Sequence, residues 1–330
     1  MFPDSTPPPN ADAPTNLPTN PNHFRVMFTL TRPTPAAIPA APLTKATLKA
    51  DNPTWCPGCG DFAVLAAFQR VLEKLQIPQH NLVTLAGIGC SSRLPYFVNT
   101  HGGHFIHGRA LPFAAGVSLG RDDLHVVVFG GDGDGFSIGG NHLDHTARKN
   151  IKITYVIMDN SVYGLTKKQT SPTSPVGFKS KSDPTGALDP ALNPMRRLLG
   201  TGATFVARAY VGQLQHMTDM IERAMKHDGF SVVEVHTHCS NFYEDAFDCF
   251  NARKGGHVDL IDETKHDVTD INAAFRLASL ETPGVFGVFY EVKDQPSKNA
   301  REAELMARVQ AKFPTTDGRA LLQSAFDRMK

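Results

Sequence analysis

From Phe62 to Leu75 the apolar residues Phe62, Leu65, Phe68, Leu72 and Leu75 recur at steps of three and four, the stripe of an amphipathic helix. Shorter apolar runs of strand length follow at Leu82–Ala86, His125–Phe129, Ile153–Met158 and Ser231–Val235. Helical stretches at Leu111–Leu119, Gly139–Arg148 and Gln213–Lys226 separate them. This alternation predicts an α/β fold of three layers, a parallel sheet covered by helices on both faces. The run Val126-Val127-Val128-Phe129 is apolar without alternation, as a strand buried on both sides must be, which places it centrally. Beyond Asp245 the pattern weakens, with Ile271–Leu280 helical, Val285–Val292 strand-like and Ala300–Ala311 helical again.

Two stretches carry no period. The first 45 or so residues hold many prolines, as in Pro7-Pro8-Pro9 and Pro33-Thr34-Pro35, and read as a disordered or surface-draped tail, with order starting near Thr54. The segment Thr166–Leu192 is rich in Pro, Ser, Thr, Lys and Gly and reads as a long loop, of the kind that is often functional. The expected division is a tail over 1–48, a binding domain over 49–245 and a C-terminal extension over 246–330 that packs on the core or on a partner.

Composition narrows the chemistry. Lys and Arg number 33 against 32 Asp and Glu in 330 residues, so no electrostatic field points to a nucleic acid or an anionic membrane. No apolar stretch approaches the ~20 residues of a membrane span, and the N-terminus lacks the order of a secretory signal, so the chain reads as cytoplasmic. Five cysteines are too few for a disulfide framework; in a reducing compartment clustered thiols bind metal or do redox chemistry.

After the buried strand comes Gly130-Gly131-Asp132-Gly133-Asp134-Gly135, where missing Cβ atoms let the backbone approach a ligand. A loop running into a helix N-terminus suits phosphate through its amides and the helix dipole. A carboxylate there repels phosphate unless a divalent cation lies between, so Asp132 implies Mg²⁺. Asn160 follows the strand Ile153–Met158, 28 residues after Asp132, a separation that fits one crossover helix and returns the chain so that both flank one cation. Glycine-aspartate runs are also common surface turns; the order strand, loop, helix, strand and Asn favours the cofactor.

Cys56 and Cys59 form a C-x-x-C pair in Trp55-Cys56-Pro57-Gly58-Cys59-Gly60, the local geometry of a metal or iron–sulfur half-site. Cys90, in Gly87-Ile88-Gly89-Cys90-Ser91-Ser92-Arg93, follows the strand Leu82–Ala86, and Cys239 follows Ser231–Val235. A Cys₄ zinc site is the alternative, but Cys90 and Cys239 lie 34 and 183 residues after Cys56, on separate strand ends rather than on one nearby knuckle. His101, His104 and His107 recur every third residue, yet their flanking glycines argue for a tight loop rather than a ligand helix.

The Gly-Asp-Gly run with Asn160 nearly thirty residues on resembles the diphosphate-binding signature of thiamine diphosphate enzymes. Taken together, W-C-P-G-C-G, G-I-G-C-S-S-R, H-G-R-A, G-G-D-G-D and N-S-V-Y-G-L-T-K-K-Q-T-S-P-T, spread over roughly Lys49 to Asn241, closely resemble the β subunit of 2-oxoacid:ferredoxin oxidoreductases, particularly the 2-oxoglutarate type. The resemblance implies the thiamine diphosphate-binding fold, in its diphosphate-binding half. It implies Mg²⁺ on Asp132, the Asn160 side chain and the Val162 carbonyl, and a [4Fe–4S] cluster on Cys56, Cys59, Cys90 and Cys239. Cys239 is preferred to Cys249 because it follows its strand directly. Gly89, Ser91, Ser92, Gly131, Gly133, Asp134, Gly164 and Leu165 are the other expected cofactor contacts. Arg93, His107, Leu165 and Lys167 are the expected substrate-side residues, Arg93 gripping a distal carboxylate. The implied reaction takes a 2-oxo acid and coenzyme A to an acyl-CoA and CO₂, passing electrons to ferredoxin. The chain shows only one half of a thiamine site, so an α subunit is expected, in an (αβ)₂ assembly. The competing readings are a pyruvate or other 2-oxoacid oxidoreductase, against which Arg93 stands, and a zinc-stabilised binding subunit.

Overall fold

The computed structural model describes residues 41–280, 284–312 and 318–329. The proline runs expected to form the tail lie outside the described residues. Eight strands form one sheet: β1 (Leu82–Ala86), β2 (His101–His104), β3 (His125–Gly131), β4 (Ile153–Asp159), β5 (Phe205–Tyr210), β6 (Phe230–His236), β7 (Asp259–Leu260) and β8 (Val285–Glu291). Their order is β2-β1-β3-β4-β6-β5-β8-β7. Every pairing is parallel except β5 with β8. The all-apolar run lies in β3, between β1 and β4, with its middle residues buried.

Alternate side chains of each strand feed two cores, as the two-residue period of a strand requires. Val127, Phe129, Val156 and Val233 pack on one face with Phe68 and Leu72 of α1 (Asp61–Leu75). Val126, Val128, Ile157 and Val232 pack on the other, under α2 (Ala110–Gly120), α3 (Gly140–Lys149) and α4 (Pro194–Gly200). Helix α5 (Leu214–Lys226) joins the first layer through Met217 and Ile221, and α6 (Ile271–Ala278) the second through Ala274. Leu43 and Leu48 are already buried in the first core, so order begins before Thr54.

The later residues are woven into the same sheet. Strand β8 lies beside β5, and α7 (Lys298–Lys312) begins against the N-terminal edge of the strands. There Asn299 donates to the Ser118 carbonyl at 2.8 Å and accepts from Lys152 N–H at 3.0 Å. Asn150, fully buried and left-handed at φ 52°, ends α3, accepts from Phe230 N–H at 2.7 Å and Thr204 Oγ1 at 2.8 Å, and offers its own carbonyl to Lys298 N–H. The described residues up to Ala307 form one compact unit, and α8 (Gly318–Arg328) belongs to a second. Among the described residues no helix is long and apolar enough to cross a membrane.

Candidate cofactor and metal centre

The parallel strands present their C-terminal ends together, and loops carrying polar residues leave from there, the usual ligand edge of an open α/β sheet. Strand β3 ends at Gly131, opposite Met158 of β4, so Asp132 and Asn160 emerge side by side. Asp132 is buried, and the Asn160 backbone amide partly offsets the rise that burial gives its carboxyl. Thr173 Oγ1, from the long loop, lies 3.0 Å from Asp132 Oδ2 and 2.8 Å from Asp159 Oδ1. Asp159 also accepts from Ser161 N–H at 2.8 Å. Burial pushes both carboxyls up, and Asp159 is raised further by the negative charges of Asp132 and Glu234. The donor set, a buried carboxylate beside an amide oxygen, suits Mg²⁺.

The glycines have a steric reason. A Cβ on Gly133 would lie 2.1 Å from the Tyr163 ring, and one on Gly131 would lie 3.1 Å from Ser91 Oγ. Asp132 leads into a π-helical turn, Gly133–Ile138, ahead of α3. A cavity of about 100 Å³ opens over this turn, lined among others by Ile88, Cys90, His107, Asp132, Asn160 and Leu165.

Behind the carboxylates stands a buried ion pair. Arg208 Nε on β5 donates to Glu234 Oε2 on β6 at 2.6 Å, in register across the sheet. Burial alone would raise the Glu234 carboxyl; Arg208, then His236, overcome it and hold the group at about 2.

The thiols gather at the same edge. The C-x-x-C turn is closed by Cys59 N–H to the Cys56 carbonyl at 3.1 Å and needs the left-handed Gly58 at φ 79°. His238 Nε2 lies 2.7 Å from the Gly58 carbonyl and Gly60 N–H donates to the His238 carbonyl, so the turn is stitched to the segment bearing Cys239. Trp55 Nε1 donates to the Cys90 carbonyl at 2.7 Å. A Cβ on Gly164 would lie 3.4 Å from Cys239 Sγ and 3.8 Å from Cys90 Sγ. Burial, then the Asp61 charge, raises the Cys59 and Cys90 thiols, Cys90 to about 12; Cys239 acts on both, and Cys56 on Cys90. The four thiols therefore lie near one another at this edge. Cys249 instead sits in the turn Asp248–Phe250, where burial and Asp248 raise its thiol. Cys59 and Cys90, raised in this way, must release protons to bind metal, the ordinary linkage of cysteine sites.

Residues 83–235 match the family described as thiamine pyrophosphate enzyme, C-terminal TPP binding domain. The chain is 35% identical over 241 residues to the 2-oxoglutarate synthase subunit KorB of Methanocaldococcus jannaschii, covering 72% of this chain and 87% of that one. It belongs to the β-subunit family of 2-oxoacid:ferredoxin oxidoreductases. A 2-oxoglutarate:ferredoxin oxidoreductase from Magnetococcus marinus, solved with 2-oxoglutarate, coenzyme A and succinyl-CoA bound, has the same fold at a TM-score of 0.78 and 39% identity, over 84% of this chain and 94% of that one. The 2-oxoglutarate oxidoreductase subunit KorB of Mycobacterium tuberculosis is 45% identical over 212 residues, 64% of this chain. The matched part spans 56% of that relative's length, and between 56% and 65% of the first five curated relatives.

Against this family background the remaining positions fall in several places. His107 Nδ1 lies 2.6 Å from Asp134 Oδ1. Leu165 is half-exposed at the cavity rim, followed by exposed Lys167 with φ 73°. Gly89 takes φ 134°, Ser91 and Ser92 are buried, Val162 and Gly164 line the cavity, and Arg93 is half-buried with its charge felt at Cys90. His101 and His104 bracket β2, with His104 Nδ1 2.8 Å from Tyr96 Oη, so the three histidines do not converge. The sequence reading did not single out Asp61, Asp159, Thr173, Arg208 or Glu234. Asp61 is buried behind the thiols, takes a hydrogen bond from Thr237 Oγ1 at 3.1 Å, and is pushed up to about 6 by burial.

Proposed function

We propose that this chain is the β subunit of a 2-oxoglutarate:ferredoxin oxidoreductase, which converts 2-oxoglutarate, coenzyme A and oxidised ferredoxin to succinyl-CoA, CO₂ and reduced ferredoxin, reversibly. The observation that carries the reading is that Cys90 of the thiol group shares one cavity with Asp132 and Asn160. Asp132, the Asn160 side chain and the Val162 carbonyl would hold Mg²⁺. Cys56, Cys59, Cys90 and Cys239 would hold a [4Fe–4S] cluster, for which Gly164 leaves room between two sulfurs. When bound, thiamine diphosphate supplies the electron sink for decarboxylation and the cluster a one-electron outlet.

The residues of the chain do the rest. The amides around Gly133 would face the diphosphate, a role that N–H groups at a helix start perform for phosphates generally. Arg93 and Lys167 supply the positive charge for a substrate with two carboxylates, and Arg93 can bind one of them in bidentate fashion. His107, on the cavity wall, exchanges protons with the substrate. Leu165 at the rim excludes water. An α subunit supplies the other half of the cofactor site in an (αβ)₂ complex, working in the cytoplasm, with residues 49–245 as the binding domain.

The test is anaerobic dye reduction by the αβ complex with coenzyme A and a series of 2-oxo acids, alongside iron and acid-labile sulfide determination. 2-Oxoglutarate is expected to give the highest kcat/KM, with four iron atoms per chain. Preference for pyruvate would overturn the role of Arg93, and stoichiometric zinc without iron would overturn the cluster.

A further inference from the structure

Asp134 follows Asp132 by two residues, yet its side chain is engaged by other groups. The residue is buried, and Oδ1 accepts from Ile88 N–H at 3.0 Å and Gly108 N–H at 2.8 Å, on two separate turns. The same oxygen lies 2.6 Å from His107 Nδ1. Space for this carboxylate is cleared by glycine: a Cβ on Gly87 would come within 2.2 Å of Oδ2, and one on Gly130 within 3.1 Å. Two amides therefore fix the carboxylate before it meets the imidazole. An acceptor so placed puts the proton of neutral His107 on Nδ1 and leaves Nε2 as the free ring nitrogen. His107 lines the cavity that also holds Asp132, Asn160 and Leu165. A carboxylate behind an imidazole fixes tautomer and orientation and stabilises the imidazolium, the logic by which a buried Asp serves a catalytic His elsewhere.

We propose that Asp134 is a positioning residue that holds His107 with Nδ1–H toward the loop and Nε2 toward the substrate, so that the imidazolium, stabilised by the carboxylate, gives its Nε2 proton to the substrate carbonyl oxygen when its carbon is attacked and is left as the neutral Nδ1–H form. In that step a bond to the carbonyl carbon and an O–H bond form as the C=O π bond and the Nε2–H bond break. The proton returns to Nε2 when the carbonyl re-forms in the acyl product, so no proton is gained or lost over the pair of steps. This inference rests on the reading of the site as a 2-oxoacid oxidoreductase. It gives Asp134 a task separate from the cation chemistry of Asp132.

The experiment uses the αβ complex loaded with thiamine diphosphate and Mg²⁺, with Asp134→Asn, His107→Gln and the double variant. Asp134→Asn is expected to lower kcat by roughly 10–100-fold, part of the ~10²–10⁴ that acid–base catalysis supplies. KM for the 2-oxo acid and thiamine diphosphate affinity, read by titration calorimetry, should stay within about 3-fold. In the His107→Gln background the same change should cost less than about 2-fold, because residues acting as one unit are non-additive. An equal loss in both backgrounds, or no loss in either, overturns the proposal. A second measurement needs no Asp134 variant: two-bond ¹H–¹⁵N spectra of histidine-labelled wild type, with His107 assigned by its absence in His107→Gln, should show neutral His107 protonated on Nδ1. A proton on Nε2 overturns the proposal even if Asp134→Asn fails to fold. Failure of the wild-type complex to bind thiamine diphosphate or to turn over a 2-oxo acid would overturn the functional reading and this inference with it. Normal wild-type turnover without the His107–Asp134 coupling overturns this inference alone.

Discussion

Replacing Arg208 by Met would keep most of the side-chain stem and remove the charge opposite Glu234, which is fully buried. The Glu234 carboxyl sits at about 2 instead of its ordinary 4.5. Each tenfold in proton affinity is ~1.4 kcal/mol, so the depressed value amounts to roughly 3 kcal/mol of native-state stability at pH 7. Removing one partner of a buried pair costs about 3–5 kcal/mol by general experience, and the two figures agree. The sign with pH follows. In the wild type the contribution is fully present above 4.5 and is lost only as pH falls through about 2. In Arg208→Met the buried carboxyl loses its guanidinium, keeps only the His236 imidazole and faces Asp159, so it titrates above its wild-type value and the variant regains stability as pH falls from 7 toward 5. Urea unfolding of the full chain at pH 7 and pH 5 reads both effects: a loss of about 3–5 kcal/mol at pH 7 and a smaller one at pH 5. A loss below about 1 kcal/mol, the worth of an exposed pair, or a gap that widens on acidification, would refute the reasoning.

Three further outcomes are expected. Cys239→Ser should abolish the iron and acid-labile sulfide of the anaerobically purified αβ complex, while Cys249→Ser keeps both; the reverse result would show that Cys249 is the fourth ligand. Asp132→Asn should weaken Mg²⁺-dependent thiamine diphosphate binding about 100-fold, since ~1.4 kcal/mol is tenfold and an uncompensated buried charge partner is worth about 3 kcal/mol; calorimetry showing unchanged affinity would remove Asp132 from the cation site. Asn150→Ala should destabilise the chain by roughly 3 kcal/mol, from buried Phe230 N–H losing its acceptor and from a Cβ-bearing residue without a local hydrogen bond at positive φ; thermal unfolding within a degree or two of wild type would contradict it.

Much of the sheet was legible because its strands are apolar runs between helical stretches, and β1, β3, β4 and β6 begin and end within two residues of the runs read for them. Strand β5 escaped because Arg208 interrupts Phe205-Val206-Ala207 and Ala209-Tyr210; its neutralising partner, Glu234, lies on another strand 26 residues away, and no local window shows that. Strand β2 reads His-Gly-Gly-His, composition that favours a turn. It is extended because the absent Cβ of Gly103 lets Phe105 and Leu85 close in, at 2.8 and 2.9 Å from where that atom would sit. The antiparallel direction of β8 leaves no trace in its own residues. At the site, Asp132, Asn160 and the cysteines announced themselves through spacing. Thr173 did not, because a threonine inside a Pro- and Ser-rich loop looks like any other until the loop folds back onto two carboxylates.

The two margins of the sheet carry a consequence of their own. At one end stands β2, four residues with two glycines; at the other stands β7, two residues long and exposed. A strand with free N–H and C=O groups is a template on which another chain can crystallise edge to edge, and short, glycine-rich or stubby borders are how proteins deny it. The long apolar strands here lie inside these borders, where they cannot seed cross-β growth. Association of this chain is thereby directed away from strand addition and toward its helical surfaces and the loops at the strand ends, so that recruiting a neighbour and completing the cavity can be one event.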